Sequence, residues 1–224
     1  MNVLRSLAFY GVFYSGTLVL LLVAPFRGRA GMWKLAHAWS GLHRWCVRHL
    51  LGIRIIQEGA PQAEGPVLYA MRHESFFEAI DAPQVFGAPV IFAKQELLDL
   101  PMWGKAAAKY GIIPVARDKG AKALRDLMRA ARLAKEEGRA FLIFPEGTRI
   151  AHDEEGPIAS GFAGLYKLLD LPVVPVAVNS GPLYGDLVKQ PGQITYRFGD
   201  PIAPGLERAE VEAQVREGIN RLRA

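Results

Sequence analysis

The chain has a single cysteine, Cys46, among 224 residues. One cysteine excludes an internal disulfide framework, and no cysteines at ligand spacing excludes a zinc ribbon. There is no internal repeat and no low-complexity tract. Acidic residues are in the minority, 22 Asp and Glu against 27 Lys and Arg. A basic balance suits nucleic acid, an anionic membrane surface or a phosphorylated small molecule, and charge alone does not choose among them. No nucleic-acid-binding module is recognisable, so no nucleic-acid partner is expected. Half of the residues are hydrophobic and 22% are charged, which fits one compact domain with a core, plus an appendage.

Charge is also missing from Ser6 to Phe26, "SLAFYGVFYSGTLVLLLVAPF". These 21 residues match the roughly 20 that a helix needs to cross a bilayer. A signal peptide is the main rival, but only Arg5 marks a basic leader and no A-x-A-like site follows. A buried core helix would also satisfy the composition. Gly11, Gly16 and Pro25 weaken the case for one straight span and leave a shallow or re-entrant helix open. The following stretch, Gly31 to Gly52, holds three of the four tryptophans. Met32, Leu35, Trp39, Leu42, Cys46 and Leu50 form a helical apolar stripe, with Lys34, His37, Arg44, Arg48 and His49 interleaved. A helix packed on the protein core would show the same stripe. Beside an uncharged segment, the tryptophans and basic residues favour the headgroup region of a bilayer. Residues 1–52 are therefore expected to be membrane-associated helices. Arg27, Arg29 and Lys34 outweigh Arg5, so the positive-inside rule places the downstream domain on the cytoplasmic side of the cytoplasmic membrane.

From residue 53 to 224 short β-like runs alternate with helical patterns. Candidate strands are 53–59, 65–71, 89–94, 111–117, 139–144, 172–178 and 194–199, rich in Val, Ile and Phe. Pro175 hints that the 172–178 strand is an edge or carries a bulge. The clearest helix runs from Lys119 to Glu137, with Gly138 as its C-cap. Such alternation implies an α/β sandwich around a largely parallel sheet flanked by helices.

Polar motifs fall just beyond three of these strands: His73, Arg117 and "PEGTR" (145–149). Ligands of open α/β sheets bind beyond the carboxyl ends of strands, so the three should share one cleft. In "MRHESFFEAID" (71–81), His73 is followed by Glu74, Glu78 and Asp81. His73 and Glu78 can meet if His73 lies in the loop and Glu78 in the first turn of the next helix. Ser75 with Glu78 three residues on also reads as a capping box, a structural use of the same acid. In "FPEGTR" (144–149), backbone amides of a tight turn and the two-pronged Arg149 could hold an anion. The bland alternative is an ordinary turn with a surface arginine.

His73 with an acid five residues on, "YGIIPVAR", "FPEGTR" and "LPVVPVAVNSG" together resemble the four ordered blocks of glycerolipid acyltransferases, and most closely the 1-acyl-sn-glycerol-3-phosphate acyltransferase family. The likeness runs from about residue 65 to 185 and includes "AKQELL", Pro101, Gly104 and "SGFAGLYKLL". It implies an acyltransferase that moves a fatty acyl group from acyl-CoA or acyl-carrier protein to 1-acyl-sn-glycerol 3-phosphate, giving phosphatidic acid. By the same resemblance His73 is the general base, and Arg117, Glu146, Gly147, Thr148 and Arg149 bind the acceptor, with Lys94 adding positive charge. The family pattern has Asp where this chain has Glu78, which keeps the charge and adds one methylene. No cofactor or metal is implied, only the acyl thioester as co-substrate and the lipid bilayer as partner. Another lyso-lipid acceptor is the alternative within the enzyme class. A non-catalytic membrane lipid-binding protein is the alternative outside it.

Overall fold

The computed structural model describes residues 1–61, 65–115 and 120–223, without the side chains of 115 and 120–124. Two long helices come first, α1 (Asn2–Val23) and α2 (Arg29–Cys46), joined by a 3-10 turn and followed by a π-helical turn over Val47–Leu51. Then β1 (Ile53–Glu58), β2 (Leu68–Met71), α3 (Phe77–Phe86), β3 (Val90–Lys94), α4 (Gln95–Leu98), α5 (Trp103–Tyr110) and β4 (Ile113–Val115) alternate. The second half adds α6 (Gly120–Glu136), β5 (Phe141–Ile143), α7 (Ser160–Leu169), β6 (Val173–Val178), α8 (Gly181–Tyr184), β7 (Gly192–Phe198) and α9 (Arg208–Ile219). Each of the seven expected strands is present, mostly one to three residues shorter. Gly138 follows α6 with φ +67°, and its N–H and that of Arg139 close the last turn onto Lys135 and Ala134.

The strands form one sheet in the order β1-β7-β6-β2-β5-β3-β4. β6, β2, β5, β3 and β4 are mutually parallel; β7 runs antiparallel to β6 and carries β1 parallel to itself. The sheet is thus mixed, with a five-strand parallel body. Its central strands β2 and β6 are buried along their whole length, as a sheet covered on both faces requires. Alternation sorts their side chains into two cores. Tyr69, Met71, Val174, Val176 and Val178 face α1, α2 and α3, where Phe9, Phe13, Cys46, Val47 and Phe77 join them. Leu68, Ala70 and Val173 face the other side, against Phe162, Leu165, Val211 and Val215 of α7 and α9.

Pro175 is not at an edge, because β6 lies between β2 and β7. The expected bulge is there: Val176 pairs with Phe198 and Val173 with Ile202, so the facing segment carries one extra residue opposite Pro175. The even residues of β6 bond to β2, where Pro172 and Val176 carbonyls accept from Leu68 and Arg72. Pro175 therefore faces the other neighbour, one position past the last β6–β7 pair, Val176 with Phe198. There its carbonyl accepts from Gly199 N at 2.8 Å and no strand donor is needed from it.

α1 is long and apolar enough to cross a membrane by length and composition. It nevertheless lies along the domain. Ser6, Phe9 and Phe13 are buried, Tyr10 Oη donates to the Leu187 carbonyl, and Leu21 and Ala24 pack with Met32 and Ala106. The opposite face, with Leu4, Leu7, Tyr14, Leu18, Val19 and Leu22, is bare.

Candidate active site

β2 ends at Met71, and the chain leaves the sheet through Arg72, His73, Glu74 and Ser75. The segment after β5 fixes His73 on three sides. Its N–H donates to Glu146 Oε2 at 2.8 Å, and its carbonyl accepts from Ile150 N at 2.8 Å. Its ring stacks on Phe144 with centroids 4.1 Å apart. Nδ1 is buried, has no hydrogen-bond partner among the described residues, and sits 3.8 Å from Glu78 Oε2.

The three acids of this stretch have separate employments. Asp81 accepts two bonds from Arg44, at 2.6 and 2.9 Å, and one from Tyr196 Oη at 3.0 Å. Burial raises its pKa, and Arg44 and Tyr196 oppose that rise. Glu74 accepts from Arg72 Nε at 2.7 Å and Gly181 N at 2.8 Å, and pairs with His152 Nδ1 at 2.9 Å. Among the described residues, Glu78 is the one carboxylate that pairs with the His73 ring. The Glu78 half of the capping box is also present: Glu78 accepts from Ser75 N at 3.2 Å, and Ser75 Oγ accepts from Phe77 N at 3.1 Å, one residue short of the usual donor. Glu78 further accepts from Glu74 N at 3.0 Å and from Ser180 Oγ at 2.5 Å. These donors satisfy a fully buried carboxylate beside the imidazole, so the cap and the pairing coexist.

In the "FPEGTR" turn Gly147 takes φ +69°, and its N–H closes onto the Phe144 carbonyl at 3.0 Å. That left-handed step suits glycine and sends neighbouring side chains in opposite directions. Glu146 turns inward and is 5% exposed, whereas Thr148 and Arg149 face solvent. The Arg149 guanidinium lies over the exposed Phe76 ring at 4.3 Å. Burial, with Glu74 and Glu78 nearby, pushes the Glu146 carboxyl up to about 7 against the pull of the His73 N–H and Arg72. Lys94 is exposed at the carboxyl end of β3. The strand order β2-β5-β3 sets His73, the 145–149 turn and Lys94 on successive strands, each step about 4.8 Å. Arg117 lies outside the described residues.

Comparison with known proteins bears on this arrangement. The sequence profile of the acyltransferase family matches residues 52–179, a span that holds both His73 and the 145–149 turn. The chain belongs to the acyltransferase family. Among curated acyltransferases, the 1-acyl-sn-glycerol-3-phosphate acyltransferase of Pseudomonas aeruginosa is 30% identical over 88% of this chain and 79% of its own. That of Limnanthes alba is 30% identical over 83% of this chain and 66% of its own. The crystal structure of the 1-acyl-sn-glycerophosphate (LPA) acyltransferase from Thermotoga maritima superposes with a TM-score of 0.72. It covers 98% of this chain and 93% of that one at 21% identity, which establishes the fold.

Sequence reasoning missed several residues of this acyltransferase's site. Arg72 is the largest omission. Wholly buried, it bonds Glu74, the Asn220 side chain and the carbonyls of Ala151 and Glu154, the latter two at 2.7 Å. It thereby ties the end of β2 to the segment after the turn and to the end of α9. An arginine beside a histidine gives no sign in the sequence that it will be buried. Ser180 stands in the "LPVVPVAVNSG" block just past the 172–178 strand, and nothing in that block marks its hydroxyl as a donor to Glu78. His152 and Phe144 lie on the ligand-side loop and β5 end, and only the fold brings them to residues 73–74.

Proposed function

We propose that this protein transfers a fatty acyl group from acyl-CoA or acyl-carrier protein to the free hydroxyl of 1-acyl-sn-glycerol 3-phosphate, giving phosphatidic acid. The carrying observation is His73 Nδ1 facing buried Glu78 at 3.8 Å while the backbone of His73 is clamped at both N–H and carbonyl. In this reading Nε2 takes the proton of the acceptor hydroxyl as the oxygen attacks the thioester carbonyl. The carbon–sulfur bond breaks and the thiolate leaves, taking the proton back from the imidazolium. Neutral imidazole suits the first step near pH 7, and Glu78 stabilises the cation formed in it. No acyl-enzyme is required. The transfer uses side chains alone, so activity should survive thorough chelation of divalent ions.

Arg149, exposed at the mouth, supplies the two-pronged donor for the acceptor's phosphate. Lys94, exposed at the end of β3, adds positive charge, and the family resemblance assigns Arg117 to the same acceptor. The names of the curated relatives support this acceptor. On the membrane, we place α1 in one leaflet of the cytoplasmic membrane rather than across it. A helix with Ser6, Phe9, Phe13 and Ala24 buried against its own domain cannot enclose itself in lipid, but its bare face can enter the acyl boundary. The site then faces the cytoplasm, where the thioester donors are.

The direct test offers purified protein a panel of lyso-lipids with acyl-CoA and with acyl-carrier protein, products identified by mass. Phosphatidic acid as the main product supports the proposal. Preferred acylation of a lysophospholipid or lyso-amino-acid lipid changes the acceptor, and no turnover with any pair points to a lipid-binding protein.

A further inference from the structure

The resemblance that identifies the "FPEGTR" turn assigns Glu146 to the acceptor, but its placement does not suit that role. Its side chain is fully enclosed, and its oxygens already have employment inside the protein. Oε2 accepts the His73 N–H at 2.8 Å, and Oε1 lies 3.5 Å from Arg72 Nη1. The exposed members of the turn are Thr148 and Arg149.

We infer that Glu146 is a positioning residue for the base: it holds the main chain of His73, and with Ile150 N on the His73 carbonyl it fixes where the imidazole stands. The clamp is made of one short segment. Phe144 supports the ring, Glu146 takes the N–H, and Ile150 donates to the carbonyl, so the turn after β5 carries His73 as a unit. Gly147 makes this geometry available by turning Glu146 inward while Thr148 and Arg149 point out. One motif then serves two purposes, positioning the base from beneath and meeting the acceptor from above.

The charged groups facing Glu146 are His73 and Arg72 from the end of β2 and its loop, Glu74 from the same loop, and Glu78 from α3. Burial first, and then the two further carboxylates, favour the proton-bearing form of Glu146 against the pull of the His73 N–H and Arg72, in keeping with its rise to about 7. A neutral side chain with a carbonyl oxygen should therefore replace it well, which makes Gln the conservative variant.

The inference rests on the acyl-transfer reading only in taking His73 as the base. Wild-type turnover tests that reading first, and imidazole NMR signals of His73 report the clamp without any turnover. Glu146→Ala should lower kcat about 10- to 100-fold, the order that a misplacement near 1 Å costs. The acceptor KM should stay within about twofold of wild type. Glu146→Gln should recover most of kcat, and the His73 ring signals should shift in the Ala variant and return toward wild type in the Gln variant. Arg149→Ala provides the contrast, with the loss expected in acceptor KM. A raised acceptor KM at unchanged kcat in the Glu146 variants would return Glu146 to the acceptor and overturn the inference. So would unaltered His73 signals in Glu146→Ala. Should the Ala variant not fold, the Gln variant decides by the same two readouts: a raised acceptor KM overturns the inference, and retained kcat, KM and ring signals uphold it.

Discussion

Replacing Glu78 with Gln removes one charge from the site and almost no volume. The carboxylate lies 3.8 Å from His73 Nδ1. At an effective dielectric of about 20, a unit charge at that distance stabilises a full imidazolium by about 4 kcal/mol. That corresponds to about 10³-fold in rate, within the roughly 10²–10⁴-fold range of general-base assistance. The capping role is the competing explanation, and Gln separates the two. Its carbonyl can still accept from Ser75 N, so a purely structural Glu78 predicts little change. The assay is kcat/KM for acyl transfer, measured beside thermal denaturation, for Glu78→Gln and Asp81→Asn. Asp81→Asn strips a buried partner from Arg44 and Tyr196, so it should lose stability, on the order of 3 kcal/mol. Its folded fraction should keep kcat/KM, since Asp81 does not pair with His73. Combining Glu78→Gln with His73→Ala should add little to the loss from His73→Ala alone, because the pair acts as a unit. Near-wild-type turnover in Glu78→Gln with collapse in folded Asp81→Asn would refute the assignment of Glu78.

Arg149→Ala should lower kcat/KM for a phosphate-bearing acceptor by about ten- to a hundred-fold, the worth of a charge-assisted bond; an equal loss on an acceptor without phosphate would show that Arg149 does not read the phosphate. Charging the bare face of α1, with Leu18→Glu and Leu22→Glu together, should cut binding to anionic vesicles more than tenfold while leaving the melting temperature near wild type. Deletion of residues 1–52 is the poorer test, because it strips Phe9, Phe13, Cys46, Val47 and Leu51 from the core of the domain. Glu146 also makes stability depend on pH. Its carboxyl is held at about 7 when folded against an ordinary 4.5, so the folded state binds the extra proton between those values. The stability gained from Glu146 is then fully present below about pH 4.5 and is lost as pH rises to about 7. Glu146→Gln, which matches the protonated side chain, should melt close to wild type below about pH 4.5 and increasingly above it as pH rises to about 7; a difference that stays level across that window would show that Glu146 does not carry the raised pKa.

The sequence by itself determined the element order. All seven strands of the sheet sit where Val, Ile and Phe runs placed them, and β2 and β6, buried along their whole length, are the ones that must be apolar throughout. It also determined the family, since four blocks in order carry information that no single motif does, and the chance that His73 and the 145–149 turn share one edge. What the residues could not show is anything set by contacts between distant segments. The hydropathy of residues 6–26 is the same whether a helix spans a bilayer or lies against its own domain; only the burial of Ser6, Phe9 and Phe13 distinguishes them. The rule that keeps proline out of central strands holds for donors that are needed. Pro175 escapes it because the pairing slips by one residue between Val176–Phe198 and Val173–Ile202, a bulge that interrupts the ladder at Pro175. In "RHESFFEAID" the spacing favours Glu78, since Glu74 is too close to fold back easily and Asp81 lies one helical turn further on, but spacing does not show what the other two acids do. Tertiary structure separates them by bringing up Arg44 from α2 for Asp81, and Arg72 and His152 for Glu74, which leaves Glu78 to the imidazole. Burial has the same effect on Glu146: a motif fixes which residues stand in a turn, but the fold decides which of them face the ligand and which face the core.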